Sequence, residues 1–164
     1  MFEAVKRLFG RQEKGERALA SPLNGRAIAM SQVRDPIFSQ EILGPGTAIL
    51  PSDGEVVAPA DGTVTMVLDT RHALSMRTDL GAEIMIHIGL DTVQLKGNYF
   101  SSCVKNGDHV KKGSPLLSFD LKSVKAAGYD VTTPVVVTNS HDFPKIDCRS
   151  GMETKAGETV IIRY

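Results

Sequence analysis

This 164-residue sequence contains no tryptophan, only 5% aromatic residues, two cysteines and no net formal charge. Each shortage excludes something. Cys103 and Cys148 stand far apart without CxxC spacing. That argues against a disulfide framework or a structural zinc site and for a reducing compartment. Lysine and arginine balance aspartate and glutamate at 19 each, with no long basic tract. Nucleic acid is therefore not the expected partner, since phosphate binding draws on clustered basic residues. No apolar stretch reaches the ~18 residues of a spanning helix. The opening "MFEAVKRLFGRQ" lacks the apolar core and cleavage site of a secretory signal. A serine-hydrolase elbow, a P-loop and a dinucleotide glycine fingerprint are also missing. The expectation is a cytoplasmic protein.

What is present is a chain long enough for one domain with a substantial core. Phe2, Val5, Leu8 and Phe9 recur at helical spacing among Lys6, Arg7 and Arg11. Residues 1–10 thus read as a terminal arm or a short amphipathic helix able to touch a membrane weakly. The polar "RQEKGERALA" (11–20) reads as a linker, so the domain is placed at 21–164. From Ser21 onward, short apolar runs alternate with Gly, Pro, Asp and Asn, the pattern of strands and turns. Only "LKSVKAAGY" (121–129) suggests a helical turn.

Two echoes refine this all-β reading. "SPLNGRAIAM" (21–30) is matched by "APADGTVTMV" (58–67), and "GDHVKKGSPLLS" (107–118) by "GMETKAGETVII" (151–162). In each, glycine with Asn, Asp or Lys supplies a turn that leads into a strand. Repeated turn–strand units predict an antiparallel β-sandwich or barrel with internal duplication.

His109 and His141 lie in turn-rich segments and read as solvated loop residues. The other two histidines differ. In "EIMIHIG" (83–89) the two-residue period puts Ile84, Ile86 and Ile88 on one face, and Met85, His87 and Gly89 on the other. A turn at "TDLG" (78–81) makes a hairpin in which Arg77 faces Ala82 and His72 faces His87, with the two imidazoles as neighbours. Such a pair supports a metal site with further ligands, acid–base work near neutral pH, or covalent catalysis by one ring beside the other.

The segment "GAEIMIHIGLDTVQLKG" (81–97) resembles the active-site segment of glucose-type enzyme IIA domains of the bacterial sugar phosphotransferase system. The resemblance runs from about Ser21 to Tyr164 through "PLNG", "DPIFSQEILGPGTAILP", "VVAPADGTV", "TRHALSM", "FDL" and "TPVVVTN" in order. It implies a duplicated β-sandwich and a phosphotransferase component. In that role His87 would take a phosphoryl group on Nε2 from the phosphohistidine of HPr. It would then pass the group to a cysteine of a sugar-specific enzyme IIB during uptake. The resemblance gives His72 the stabilisation of the phosphoryl oxygens and Thr70 a supporting hydrogen bond. A carbonyl near Gly89 would hold Nδ1–H. Ile37, Phe38, Ile42, Leu43, Leu68, Leu74, Met85, Val93 and Asp91 would form the partner surface. No cofactor or metal is required, although the two imidazoles offer an adventitious zinc site. Membrane contact would come through the IIBC transporter or weakly through residues 1–10. The initiating Met1 favours a free-standing chain.

Gln94 stands where many relatives carry Glu, and Leu74 and Met85 stand where aromatics are common; both departures concern the partner surface. "VKKG" is also similar to the lysine turns of biotinyl and lipoyl carriers, but no Met-Lys-Met or Asp-Lys-Ala setting surrounds it. Zinc peptidases of a related fold need His-x-x-x-Asp and His-x-His, which neither His72 nor His87 satisfies. A purely regulatory binding module that has lost phosphorylation is the remaining alternative, and the retention of both histidines argues against it.

Overall fold

A computed structural model describes residues 15–164 of the chain. The expected amphipathic arm at 1–10 lies outside the described residues. Glycine and Asx turns divide the rest into short strands, as their left-handed tolerance dictates. In order these are β1 (Ala18–Ala20), β2 (Gly25–Ala29), β3 (Gly46–Pro51), β4 (Glu55–Val57), β5 (Gly62–Val67), β6 (Ala73–Thr78) and β7 (Glu83–His87). Then come β8 (Phe100–Ser102), β9 (His109–Val110), β10 (Pro115–Phe119), β11 (Thr133–Val137), β12 (Asp147–Cys148), β13 (Glu153–Thr154) and β14 (Val160–Arg163).

The expected helical turn appears as Leu121–Ala126, opened by Asp120, whose side chain accepts from the Ser123 amide. A second helix, Pro36–Ser39, escapes a reading based on apolar periodicity because it is one turn long. Its start is nonetheless written locally. Asp35 caps it by accepting from Ile37 N at 3.0 Å, and Pro36 occupies the first turn, where no amide is needed.

An eight-stranded antiparallel sheet runs in the order β13-β2-β3-β11-β7-β6-β5-β9. Two three-stranded sheets, β1-β14-β12 and β4-β10-β8, complete the molecule. The large sheet reads as a palindrome about the β11–β7 pair, centred where Val135 faces Ile86. On either side β2 answers to β5, β3 to β6 and β13 to β9, and the small sheets correspond as β1 to β4, β14 to β10 and β12 to β8. The two sequence echoes fall on these equivalences. The duplication is nested: β4 to β10 form one continuous unit, set between β3 and β11 of the other.

That symmetry corrects the domain boundary. Residues 18–20, read from sequence as the end of a linker, are β1, paired with β14 as Ala18↔Arg163 and Leu19↔Ile162. Leu19 is fully buried. The reading failed because the polar charge of residues 11–17 outweighed a three-residue apolar stretch, whose partner is at the opposite end of the chain.

The main core lies between the large sheet and the two small ones, and includes Leu19, Ile49, Leu74, Met76, Ile84, Ile86, Ile88, Leu116 and Ile161. A second, smaller cluster of Met30, Val33, Phe38, Ala48, Leu90 and Val136 sits on the opposite face of the large sheet, beneath the Met30–Ser39 segment. Met85 packs against it. Every fully buried side-chain polar atom among the described residues has a hydrogen-bond partner. No described helix is long and apolar enough to cross a membrane.

Candidate active site

β6 and β7 form the expected hairpin, but one residue out of the expected register. Arg77 faces Glu83, and Ala73, not His72, faces His87. The cause is the turn. Thr78 N donates to Ala82 O at 2.8 Å, so the loop is the three residues Asp79, Leu80 and Gly81, with Gly81 at φ +100°. A three-residue loop closed by a left-handed glycine shifts the pairing relative to a two- or four-residue loop.

The imidazoles are neighbours nonetheless. His72 lies just before β6, after Arg71 at φ +56°, so strand alternation no longer dictates where its side chain points. Its carbonyl accepts from Ile88 N at 2.7 Å, which ties the entrance of β6 to the exit of β7. The two rings meet edge to face with centroids 4.9 Å apart and planes at 84°.

Each ring is oriented through one nitrogen. His87 Nδ1 lies 2.7 Å from the Gly89 carbonyl, to which it donates. The chain must double back within two residues for this contact, and Gly89 does so at φ +75°. His72 Nδ1 lies 2.6 Å from Thr70 Oγ1. Among the described residues neither Nε2 atom has a hydrogen-bond partner. Phe38 walls one side, its ring 5.2 Å from that of His87 and tilted by 53°.

The electrostatics keep both rings neutral near pH 7. Burial, and then the neighbouring His87, push His72 down to about 4. Burial also lowers His87, opposed by the Gly89 hydrogen bond and by the Asp35 and Asp91 carboxylates. Asp35 was not singled out from sequence. The signal for it was the Asp-Pro helix start, which reveals a cap but not the ring that the cap faces across the fold.

The expected partner surface divides. Ile37, Ile42, Leu43 and Val93 are exposed large apolar residues, and Asp91 is exposed at φ +59°. Leu68 and Met85 are half-buried. Leu74 is 1% exposed on the Ile84–Ile86 side of the sheet, which makes it a core residue and not part of a rim. Alternation explains this: Leu74 pairs with Ile86, on the face away from His87. Phe38, 4% exposed, contributes a wall to the site more than a surface. His109 is exposed beside Asp79 at 3.1 Å, and His141 beside Asp142 at 3.6 Å, both away from the site's ring pair. Among the described residues no three His, Cys, Asp or Glu side chains converge as a metal site, so the histidine pair brings two ligands at most.

Comparisons with known proteins show what the chain as a whole is similar to. The family described as "phosphoenolpyruvate-dependent sugar phosphotransferase system, EIIA 1" matches residues 17–143. A β-glucoside-specific EIIBCA component of Bacillus subtilis is 50% identical over 131 residues, 80% of this chain and 22% of that protein. The chain thus spans about a quarter or less of the fused relatives of that kind. A glucose-specific EIIA component of Halalkalibacterium halodurans is 44% identical over 165 residues, covering 96% of this chain and 95% of that one. In three dimensions the chain resembles glucose permease IIA from Mycoplasma capricolum, with a TM-score of 0.83 and 35% identity over 90% of this chain and 96% of the other. With the duplicated sandwich and the histidine pair in place, these matches show that the chain belongs to the EIIA 1 family of the phosphoenolpyruvate-dependent sugar phosphotransferase system.

Proposed function

We propose that this chain carries a phosphoryl group on His87 Nε2, taken from the phosphohistidine of HPr and delivered to a cysteine of a sugar-specific enzyme IIB. The observation that carries this reading is the pair of hydrogen bonds at the two Nδ1 atoms. With Nδ1–H donated to Gly89, the His87 lone pair resides on Nε2, the atom left free to attack. The donor N–P bond breaks as the Nε2–P bond forms, and the donor imidazole leaves neutral. His87 keeps its Nδ1 proton, so no proton is exchanged. In the onward step a thiolate displaces His87 from phosphorus and restores the neutral ring.

His72 has the complementary role. In this reading the Thr70 hydroxyl, 2.6 Å from His72 Nδ1, is the donor of that contact, which leaves the ring proton of His72 on Nε2. That N–H is then a donor for a phosphoryl oxygen on the neighbouring ring. Phosphoryl transfer depends mainly on positioning and charge stabilisation, and two rings fixed on strand ends supply the positioning. The exposed Ile37, Ile42, Leu43 and Val93 form a rim on which a docked partner excludes water, and Asp35 and Asp91 favour a partner with cationic groups. On this reading the chain works on the cytoplasmic side, next to the membrane component that imports the sugar.

The test is incubation with phosphoenolpyruvate, enzyme I and HPr, followed by phosphosite mapping. Acid-labile phosphate on His87, lost in His87→Gln, is the expected result. His72→Gln should still accept phosphate and pass it poorly to IIB. Undiminished labelling of His87→Gln, or normal onward transfer by His72→Gln, overturns the assignment.

A further inference from the structure

We propose that Thr92 is a positioning residue for His87. Its buried hydroxyl, acting with the Asp130 carbonyl, locks the Gly89–Leu90 peptide so that His87 is held as the Nδ1–H tautomer. The inference rests on the functional reading above and extends it to residues that touch no phosphate.

Thr92 is fully buried in the turn after β7. Its Oγ1 donates to the Ile88 carbonyl at 2.5 Å. Its Cγ2 lies 2.5 Å from where a Cβ on Gly89 would stand, so its methyl group packs directly against the glycine. Ile88 is thereby gripped at both ends, since its amide donates to the His72 carbonyl at 2.7 Å. The next peptide is gripped as well. Leu90 N donates to the Asp130 carbonyl at 2.9 Å, while Gly89 O, on the same peptide unit, accepts from His87 Nδ1 at 2.7 Å.

That sharing has an electronic consequence. A peptide whose N–H is engaged presents a more strongly polarised carbonyl, because chains of hydrogen bonds reinforce one another. Asp130 is itself fixed by an Asx turn, its Oδ1 accepting from Thr132 N at 2.8 Å and from Thr132 Oγ1 at 2.6 Å. The carbonyl that steadies the β7 turn therefore comes from the segment leading into β11, the strand paired with β7 across the pseudo-symmetry centre. His72, Ile88 and Thr92 hold one side of Gly89; Asp130 holds the other. A displaced Gly89 carbonyl frees the His87 proton to move to Nε2, which removes the nucleophile without unfolding anything.

The test reads the His87 ring nitrogens by ¹⁵N–¹H long-range NMR at neutral pH, on unphosphorylated full-length protein. Thr92→Val keeps shape and removes the hydroxyl. We expect the Nδ1–H tautomer to lose its dominance and phosphorylation by phospho-HPr to slow about tenfold, less than the roughly 10²-fold that a 1 Å misplacement of a reacting group can cost. Thr92→Ser keeps the hydroxyl and should retain the wild-type tautomer and rate. Should Thr92→Val fail to fold, Asp130→Ala, which dissolves the Asx turn, decides by the same spectrum: a shifted tautomer supports the proposal and an unchanged one overturns it. A Thr92→Val protein with a lower unfolding midpoint and an unchanged tautomer also overturns it, since that outcome describes a residue of loop stability alone. Because the tautomer is read without HPr, its result is separate from whether the wild-type protein accepts phosphate at all.

Discussion

His72 and His87 meet edge to face, 4.9 Å between ring centres, although their residues are not paired in the sheet. The backbone pairs Ala73 with His87, and the contact is made because His72 has already left the strand. Two neutral rings, each tethered through Nδ1, follow from that geometry. In the role proposed for the pair, one ring attacks and the other donates, as a carrier that must both accept and release a group requires.

The correction at Leu74 can be tested directly. Its side chain belongs to the main core beside Ile86, so Leu74→Ala should lower stability by about 2–5 kcal/mol, the usual range for a buried leucine. Denaturant unfolding reads the loss, and binding of HPr to the remaining folded protein should be unchanged. A Leu74→Ala protein of native stability with weakened HPr binding would restore Leu74 to the rim.

Gly89 is constrained twice. At φ +75° an L-residue is strained, and an added Cβ would stand 2.5 Å from Thr92 Cγ2 and 2.9 Å from the Asp130 carbonyl oxygen. Gly89→Ala should therefore destabilise by about 2 kcal/mol and slow phosphoryl acceptance, because the displaced carbonyl is the one that holds His87. Parallel measurement of the denaturation midpoint and the labelling rate checks both. An alanine variant equal to wild type in the two measurements would show that the turn has slack.

Acid should weaken the fold through the histidine pair. The pKa of His72 falls from an ordinary 6.5 to about 4 on folding, so the unfolded chain binds the proton more readily. The associated stability is intact above pH 6.5 and declines progressively as pH drops toward 4. His72→Gln should show a flatter stability profile than wild type across that window. The His87 shift is in the same direction, so phosphoryl acceptance should persist at pH values where a free imidazole is already protonated. Unfolding midpoints and labelling rates across that range measure the two effects, and identical profiles for wild type and His72→Gln would contradict the first.

The sequence by itself determined the strand-rich class, the duplication and the exceptional position of His87. These are local properties: glycine and Asx turns, a two-residue period, and short repeated patterns carry them. It also brought His72 beside His87, but through a register that is off by one residue. The true register depends on Gly81 adopting a left-handed conformation, a choice among loop lengths that the residues Thr78–Gly81 leave open. Tertiary structure decided the remainder. β1 exists because β14, at the far end of the chain, pairs with it. Phe38 and Asp35 reach His87 because the Met30–Ser39 segment folds over one face of the large sheet. Asp130 reaches Leu90 because the nested duplication sets the approach to β11 against the exit from β7. A strand's own alternation says which way a side chain points. Only the pairing of distant strands says what it meets.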